Sequence, residues 1–392
     1  MATALRQTRS IDPAFEAQLL DAIDKWIARD VAPIARHHDL NDIWPESLVE
    51  GMTKLGLFGA TIGEEWGGLG LPATTYARIV ARISEYWMAP TGIFNSHLML
   101  ALCIEKFGTP AQKARWLPKL ASGELRGGLA LTEPGAGTDL QAIRTTARRE
   151  GDDYIINGSK MWITNAVHGD VLALLVKTDP DADPRHKGMS MFILDKPREG
   201  FALGGKLPKM GYRAIDTGQF FLENCRVPVD QLIGGVEGQG FYQATGGLEQ
   251  GRINVAARGV GMAEGALRLA TEYAQQRETM GKPISEHQAI QLKLGEMVTR
   301  ARAARLLTLD AAEAYDRGER CDMEAGMAKY FASEAARSNA EEAMRIFGGN
   351  GFSQDYEIER FYRDAMLLII GEGTNEMQRI IIARQWTKRH PI

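Results

Sequence analysis

The sequence predicts a mainly helical protein with a central β domain, and three observations support this fold class. Apolar residues recur at helical spacing over roughly the first 125 residues and again after about residue 237. Between these segments lie short apolar and β-branched runs separated by turn residues. The chain has 392 residues, enough for several domains with a large core. We therefore predict a helical domain over residues 1–126, a β domain over 127–236 and a four-helix bundle over 237–392.

The first helix is predicted to begin at Asp12-Pro13, because proline suits the first turn of a helix. Steps of three and four then separate the apolar residues Phe15, Leu19, Ile23 and Trp26. The glycines of residues 63–70 predict a loop. A helical pattern resumes near Thr75 and continues past Leu120, which completes the predicted helical domain.

The middle segment contains a hairpin signal at Asn157-Gly158, since Asn-Gly accepts the positive φ angles of a tight turn. We expect one strand before this dipeptide and another over residues 160–164. Further strands are predicted over residues 171–176, 189–194 and 219–222. These short strands define the predicted β domain.

The C-terminal segment is again helical. Small apolar residues keep the helical period between Ile253 and Ala274, and Ser285 with Gln288 predicts a capping box for the next helix. Gly318 is expected to end that helix, and another is predicted over residues 322–347. Long helices rich in small residues and joined by short connections are typical of a four-helix bundle.

Composition excludes several classes of protein. Hydrophobic residues make up 44% and charged residues 24%, with a formal net charge of −4, which argues against a nucleic-acid-binding surface. The three cysteines lie far apart and fit neither a disulfide framework nor a zinc site. No apolar run reaches the roughly 18 residues of a membrane span. We expect a cytoplasmic enzyme, or one of the mitochondrial matrix if residues 1–10 are the end of a trimmed leader.

Four segments could carry chemistry. Leu131 to Asp139 forms a glycine-rich loop whose backbone N–H groups could approach a ligand. Trp162 and Thr164 on a strand could offer a flat face and a hydroxyl to a planar cofactor. Phe347 to Phe352 carries three glycines at a helix end, and Glu372 lies between two glycines before the last helix. Taken alone, each has a plainer explanation: a turn, core packing, a helix cap or a solvated loop carboxylate.

The order and spacing of these segments are more specific than any one of them. The succession Thr-Glu-Pro-Gly-Ala-Gly-Thr-Asp, Lys-Met-Trp-Ile-Thr-Asn, Gln-Arg-Glu-Thr-Met-Gly-Lys, Phe-Gly-Gly-Asn-Gly and Glu-Gly-Thr-Asn-Glu closely resembles the acyl-CoA dehydrogenase family, from about Phe15 to Arg384. The resemblance implies a helical N-terminal domain, a middle β-barrel, a C-terminal four-helix bundle and a homotetramer. It also implies FAD, an acyl-CoA substrate, electron-transferring flavoprotein as acceptor, and a place in fatty acid β-oxidation.

The resemblance also implies roles for individual residues. Expected FAD contacts in the middle domain are Leu129, Leu131, Thr132, Gly137, Thr138, Trp162, Ile163 and Thr164. Expected contacts to the FAD of a neighbouring subunit are Arg277, Thr279, Gln288, Arg345, Gly348 and Gly349, with Thr374 and Glu376 in the last flavin loop. Expected substrate contacts are Thr138, Glu249, Arg252 and Gly373. No metal is expected.

Glu372 matches the base that removes the α proton of the thioester in short- and medium-chain members of the family. Other members place the base at the position that is Gly251 here, which leaves Glu372 as the matched candidate. Two departures stand out. Arg345 replaces a glutamine common near the flavin pyrophosphate, and Gly371 replaces a tyrosine common before the base. We expect the missing ring to widen the cavity near the α carbon and to allow branched or bulkier acyl groups. The resemblance as a whole implies a short to medium or branched acyl chain.

Three alternatives keep the same fold. One is an acyl-CoA oxidase that uses oxygen, and the second is a dehydrogenase that also decarboxylates a diacid. The third is a flavin-binding relative without catalysis, for instance a DNA-binding protein, which the negative net charge disfavours.

Overall fold

The computed structural model describes residues 10–392. Residues 1–9, which bear on the predicted localisation, lie outside this range. In the described part the chain runs from helices through a sheet back to helices, so the predicted fold class is confirmed. The domain boundaries at 126/127 and 236/237 remain predictions.

Six helices precede the sheet: α1 (Pro13–Trp26), α2 (Ala32–Asn41), α3 (Glu46–Lys54), α4 (Ala73–Tyr86), α5 (Ala89–Phe107) and α6 (Pro110–Ser122). Helix α1 begins as predicted, with the Asp12 side chain accepting a hydrogen bond from the Ala14 N–H at 3.0 Å. Helix α5 is buried along most of its length and lies against β1, so it passes through the centre of the molecule.

Seven strands form the middle sheet: β1 (Gly127–Ala130), β2 (Thr146–Glu150), β3 (Asp153–Thr164), β4 (Val171–Lys177), β5 (Met189–Asp195), β6 (Phe201–Lys206) and β7 (Thr217–Pro228). Their order is β1-β4-β2-β3-β7-β6, with β5 paired to the other edge of β4. Strands β4 and β5 are nearly continuous apolar runs and are buried except at their last residues, Lys177 and Asp195.

The hairpin predicted at Asn157-Gly158 was wrong. Strand β3 continues through both residues, and the register against β7 shifts between Ile156 and Gly158. The dipeptide therefore forms a β-bulge, in which the Asn157 side chain accepts a hydrogen bond from the Asn224 N–H at 2.8 Å. Because β7 pairs with β3 on both sides of the dipeptide, long-range pairing overrides the local turn preference.

The C-terminal part contains α7 (Gly240–Thr245), α8 (Leu248–Gln276), β8 (Glu278–Thr279), β9 (Lys282–Pro283), α9 (Gln288–Asp316), α10 (Asp322–Phe347), α11 (Ile358–Ile370) and α12 (Asn375–Arg389). Helix α10 packs against α8, α9, α11 and α12. The small residues of α8 allow close approach: a Cβ at Gly261 would lie 2.1 Å from the Ala81 carbonyl oxygen. The predicted capping box is absent, because α9 begins at Gln288 with His287 before it.

Among the described residues, no helix has the length and apolar character needed to cross a membrane. The three cysteines are buried thiols. No cluster of potential metal ligands was found within residues 10–392.

Candidate active site

Glu372 follows α11 in a short loop and has a φ of 53°, in the left-handed region that few non-glycine residues adopt. Such a conformation persists only where surrounding contacts fix it, and it is frequent at functional sites. Two contacts fix this loop from α10. The Lys329 ammonium donates to the Gly373 carbonyl oxygen at 2.9 Å and to Asn375 Oδ1 at 2.9 Å. The loop is therefore anchored directly after the glutamate.

The Glu372 carboxylate points into a cleft between α5 and α8. Asn95 Nδ2 donates to Glu372 Oε1 at 3.3 Å, and a Cβ at Gly251 would lie 2.9 Å from Glu372 Oε2. The Glu372 residue as a whole is exposed to a water-sized molecule, so the cleft is open, while the protein atoms around the carboxylate still remove part of its hydration. Burial raises the pKa of Glu372, while Arg258, Lys329 and Asn95 act in the opposite direction. A raised pKa makes the carboxylate a stronger base.

Gly251 on α8 lies opposite the Glu372 carboxylate. Any side chain at residue 251 would project toward the same point as the Glu372 carboxylate. A carboxylate at either position would therefore reach the same part of the cleft, and of these two residues only Glu372 carries one.

The mouth of the cleft lies between α5, β1 and the segment before α8. A small cavity there is lined by Met99, Leu102, Leu129 and Gly247, among others. The Met99 methyl group also lies 3.7 Å from where a Gly251 Cβ would be, so the cavity and the Glu372 carboxylate share a wall. Leu129, an expected flavin contact, therefore lies close to the base.

The glycine-rich loop of residues 131–139 is held by a buried ion pair. Lys160 Nζ donates to Glu133 Oε1 at 2.8 Å and to the Leu131 carbonyl oxygen at 3.0 Å. Thr145 and the Arg144 N–H also donate to the Glu133 carboxylate. Burial alone would raise the pKa of Glu133, but Lys160 and these hydrogen bonds together lower it. Glu133 is therefore a charged anchor of the loop.

The opposite side of this loop is open. No atom of the described residues lies within 4 Å of where a Cβ of Gly135 or Gly137 would be, and Thr138 is exposed. Backbone N–H groups with free space beside them can bind the phosphates of a ligand. The loop is suited to a phosphate-containing cofactor.

Trp162 lies beside the loop, because the Met161 N–H donates to the Thr132 carbonyl oxygen at 2.9 Å. The strand has a second bulge here, and Trp162 has a φ of 63° with 52% of its surface exposed. Ile163 is buried, and Thr164 ends the strand. An exposed aromatic ring held in a strained backbone next to an open glycine loop fits one side of a planar cofactor such as a flavin.

The predicted contacts to the FAD of a neighbouring subunit lie far from Glu372. Arg277 and Thr279 follow the C-terminal end of α8, about 26 residues beyond Gly251, which is about 39 Å along the helix axis. Gly348 and Gly349 lie at the same end, since Asn350 donates to the Tyr273 hydroxyl at 3.0 Å. We call this surface, with Gln288 and Arg345, the distal surface. The structure therefore divides the predicted site residues into two separate groups.

Side chains on the distal surface are exposed and make mainly local contacts. Thr279 Oγ1 lies 2.9 Å from His287 Nε2, and Arg345 donates to Glu341 at 2.5 Å on its own helix. Within residues 10–392, no atom lies within 4 Å of where a Cβ of Gly348 or Gly349 would be.

The predicted substrate contacts are scattered. Glu249 accepts a hydrogen bond from the Cys321 N–H at 3.2 Å, and Arg252 is 6% exposed with its Nη1 4.0 Å from Asp322 Oδ1. The predicted substrate contact Gly373 accepts the Lys329 hydrogen bond through its carbonyl oxygen. Of the predicted FAD contacts in the same loop, Thr374 caps α12 and Glu376 pairs with Arg379 on the surface. Only Gly373 adjoins the Glu372 carboxylate directly in sequence.

Sequence reasoning missed the side chains that support the base. These are Asn95, Lys329, Tyr76, Asn254 and Arg258, all of them in helices. One signal was available: Gly251, Asn254 and Arg258 are spaced i, i+3, i+7, so they share one face of α8. The two polar side chains on that face stand among mostly small, apolar neighbours.

Comparison with known proteins accounts for this architecture. The acyl-CoA dehydrogenase N-terminal, middle and C-terminal domain models match residues 14–124, 128–225 and 238–387. The chain belongs to the acyl-CoA dehydrogenase family. It is therefore an oxidoreductase acting on acyl-CoA, and its cofactor is a flavin.

Individual relatives agree along nearly the whole chain. An acyl-CoA dehydrogenase of Bacillus subtilis (strain 168) is 42% identical over 91% of this chain and 93% of its own length. The human mitochondrial short-chain specific acyl-CoA dehydrogenase is 39% identical over 95% of this chain and 90% of its own. The structure of butyryl-CoA dehydrogenase from Megasphaera elsdenii superimposes with a TM-score of 0.91 at 34% identity, covering 96% of this chain and 99% of the other.

Proposed function

We propose that this protein is an FAD-dependent dehydrogenase that removes the α proton and the β hydride from a short-chain or branched acyl-CoA, with Glu372 as the base. The observation that carries the proposal is the Glu372 carboxylate, held at a strained loop position and turned into the cleft toward Asn95 and Gly251. The names of the human and Megasphaera relatives support a short acyl chain.

The proposed chemistry follows from the surroundings of Glu372. An α C–H next to a thioester is a weak acid, so its removal needs a strengthened base and a hydrogen bond to the developing enolate oxygen. Burial in the cleft supplies the first. Among the described residues none accepts a hydrogen bond from the Glu372 backbone N–H, which leaves this donor free for the thioester oxygen. When bound, the flavin supplies a hydride acceptor for the β carbon.

The flavin is proposed to lie along the open side of residues 134–138 with its ring next to Trp162 and Thr164. Because the distal surface is about 39 Å away along α8, one chain cannot enclose one FAD with both groups. We therefore propose that a second copy supplies Arg277, Thr279, Gln288, Gly348 and Gly349. Exposed apolar side chains at this end of the molecule, Met280 at 94% and Phe352 at 88%, support burial against another copy.

The assembly is proposed to be a homotetramer, and the electron acceptor is proposed to be electron-transferring flavoprotein. Hydrogen peroxide release at the rate of turnover would favour the oxidase alternative instead.

The first test is anaerobic reduction of the purified flavoprotein by a panel of acyl-CoAs, followed at the long-wavelength flavin band. The panel runs from butyryl to palmitoyl and includes isobutyryl, isovaleryl and 2-methylbutyryl thioesters. We expect rapid bleaching by short or branched members, and loss of bleaching in Glu372→Gln. As a matched control, Glu319→Gln changes an exposed loop carboxylate that pairs only with Arg317 in its vicinity. Undiminished bleaching in Glu372→Gln would disprove the assignment of the base.

A further inference from the structure

The floor of the cleft beyond Glu372 is polar and contains a buried cation. Arg258 is 4% exposed, and no Asp or Glu oxygen of residues 10–392 lies within 4.0 Å of its guanidinium. Its Nη1 lies 3.4 Å from the Tyr212 hydroxyl, and its Nε has no hydrogen-bond partner among the described residues. The charge of Arg258 acts on the Glu372 carboxylate at longer range, but no carboxylate of the described residues contacts the guanidinium. Because a buried charge without a contacting counterion is costly, this arginine is suited to a partner that the chain does not supply.

Two facing stripes of residues show that Arg258 lies in line with the base. On α8 the stripe is Gly251, Asn254 and Arg258, and on α5 it is Gly92, Asn95 and Met99, both spaced i, i+3, i+7. Met99 and Gly251 meet at the mouth, and Asn95 meets Glu372 one step deeper.

The deepest pair of the two stripes is Gly92 and Arg258, with Tyr212 between them. A Cβ at Gly92 would lie 1.3 Å from the Tyr212 hydroxyl oxygen, so only glycine leaves room for that hydroxyl. The same hydroxyl oxygen is the group that Arg258 Nη1 approaches. Arg258 therefore lies past the base, at the closed end of the cleft.

The other groups at the closed end are also hydrogen-bonding groups. Asn254 Nδ2 donates to the Tyr76 hydroxyl at 2.9 Å, and the Tyr76 hydroxyl lies 3.4 Å from Asn95 Oδ1. Asn254 Oδ1 has no partner within the described part of the chain. Of the charges that act on Glu372, that of Arg258 has the largest effect. Asp364, which accepts a hydrogen bond from the Tyr212 N–H, faces Arg360 and Arg363 instead.

An apolar acyl tail placed against this floor would bury the guanidinium and the amide further without compensation. A carboxylate at the end of the acyl chain would accept charge-assisted hydrogen bonds from Arg258 and one from the Tyr212 hydroxyl. Resting on the proposed function, we propose that the substrate is a short acyl-CoA whose acyl group ends in a carboxylate, which Arg258 and Tyr212 bind at the closed end of the cleft.

The proposal can be tested with substrate pairs that differ only at the far end. Succinyl-CoA replaces the terminal methyl group of butyryl-CoA by a carboxylate, and glutaryl-CoA does the same for pentanoyl-CoA. In at least one of the two pairs, we expect kcat/KM to be at least about tenfold higher for the carboxylated thioester than for the uncharged one. One charge-assisted contact can give this discrimination. Equal or higher kcat/KM for the uncharged member in both pairs would overturn the proposal.

Variants of the two proposed carboxylate ligands show which side chain causes the preference for the carboxylated thioester. In Arg258→Gln we expect the ratio of kcat/KM between the carboxylated and uncharged members to fall at least about tenfold, with a smaller fall in Tyr212→Phe, which keeps the ring. Arg268→Gln is the matched control, since Arg268 lies on the same helix and pairs with Glu85 on the surface side. A ratio unchanged in Arg258→Gln, with both members slowed equally, would show that Arg258 only positions Glu372 and would reject the proposal.

The substrate pairs need no variant, so the test does not depend on Arg258→Gln folding. They also separate this proposal from the proposed function. If no thioester of either kind reduces the flavin, the proposed dehydrogenation fails. If only uncharged thioesters do so, the dehydrogenation stands and the carboxylate site is rejected.

Discussion

The cleft around Glu372 and the distal surface are built in opposite ways. In the cleft, side chains from α4, α5, α8 and α10 form a connected set of hydrogen bonds around the base. On the distal surface, glycines face open space and the polar side chains contact only near neighbours in sequence. The difference teaches that one chain positions the Glu372 carboxylate by itself, whereas the distal residues are proposed to act beside a second chain.

The largest expected effect comes from removing the base while keeping its shape. Glu372→Gln should lower kcat by about 10³-fold, within the range of general base catalysis, because the amide cannot accept the α proton. The cofactor should remain, since Glu372 contacts none of the residues of the glycine-rich loop. Stopped-flow flavin reduction measures the first effect and the ratio of visible to protein absorbance measures the second. Loss of flavin together with activity would mean that the cleft and the cofactor site are not independent.

The second-largest effect is expected at Lys329, which anchors the loop that carries Glu372. Lys329→Met removes two hydrogen bonds to residues 373 and 375, each with a charged donor and worth about 1.5–3 kcal/mol. We expect kcat to fall by about 10–100-fold through misplacement of Glu372, with the pH at half-maximal rate also displaced. Thermal unfolding with bound flavin is the control. A large loss of stability with kcat intact in the surviving protein would make Lys329 a purely structural residue.

Lys329 also gives a pH prediction for stability. Burial lowers its pKa from 10.5 to about 8. Because the unfolded chain keeps the proton to higher pH, it binds more protons than the folded chain between about pH 8 and 10.5, and stability from this group should rise with pH across that window. Lys329→Met should remove this rise. Urea unfolding at pH 7.5 and 9.5 gives the free energy of unfolding of both proteins. An identical change in this free energy between the two pH values would contradict the prediction.

Glycine loops and the base were predictable from sequence because they are local. The spacing around residues 131–139 and 347–352 and the position of Glu372 can all be seen in short stretches of sequence. Asn95, Lys329 and Arg258 could not be assigned this way, because each reaches the base from a helix that is distant in sequence, by 277 residues for Asn95. The same limit explains the error at Asn157-Gly158, where pairing with β7 decided the structure. Long-range contacts determine the parts that the sequence pattern left open.

A moderate effect is expected on the distal surface. Arg277→Glu reverses a charge at an exposed position that is proposed to meet the FAD of a second copy. We expect partial loss of flavin, with occupancy that rises with protein concentration, while the folded state of each chain is retained. Analytical ultracentrifugation and flavin absorbance over a dilution series measure both. Arg384→Glu, on α12, is the matched charge reversal. Full flavin occupancy at every concentration would remove the distal surface from the cofactor site.

The smallest expected effect is a shift in pH dependence from the closed end of the cleft. Arg258 opposes the rise in the pKa of Glu372 that burial causes. Removing the positive charge should therefore raise that pKa further, so that the base becomes active only at higher pH. In Arg258→Gln the acidic limb of kcat/KM for butyryl-CoA should move to higher pH by about one unit, which corresponds to about 1.4 kcal/mol of lost charge interaction. Arg258→Lys should restore much of the limb. A limb that stayed in place in Arg258→Gln would place the guanidinium out of electrostatic reach of Glu372, and the closed end of the cleft would then act on the substrate alone.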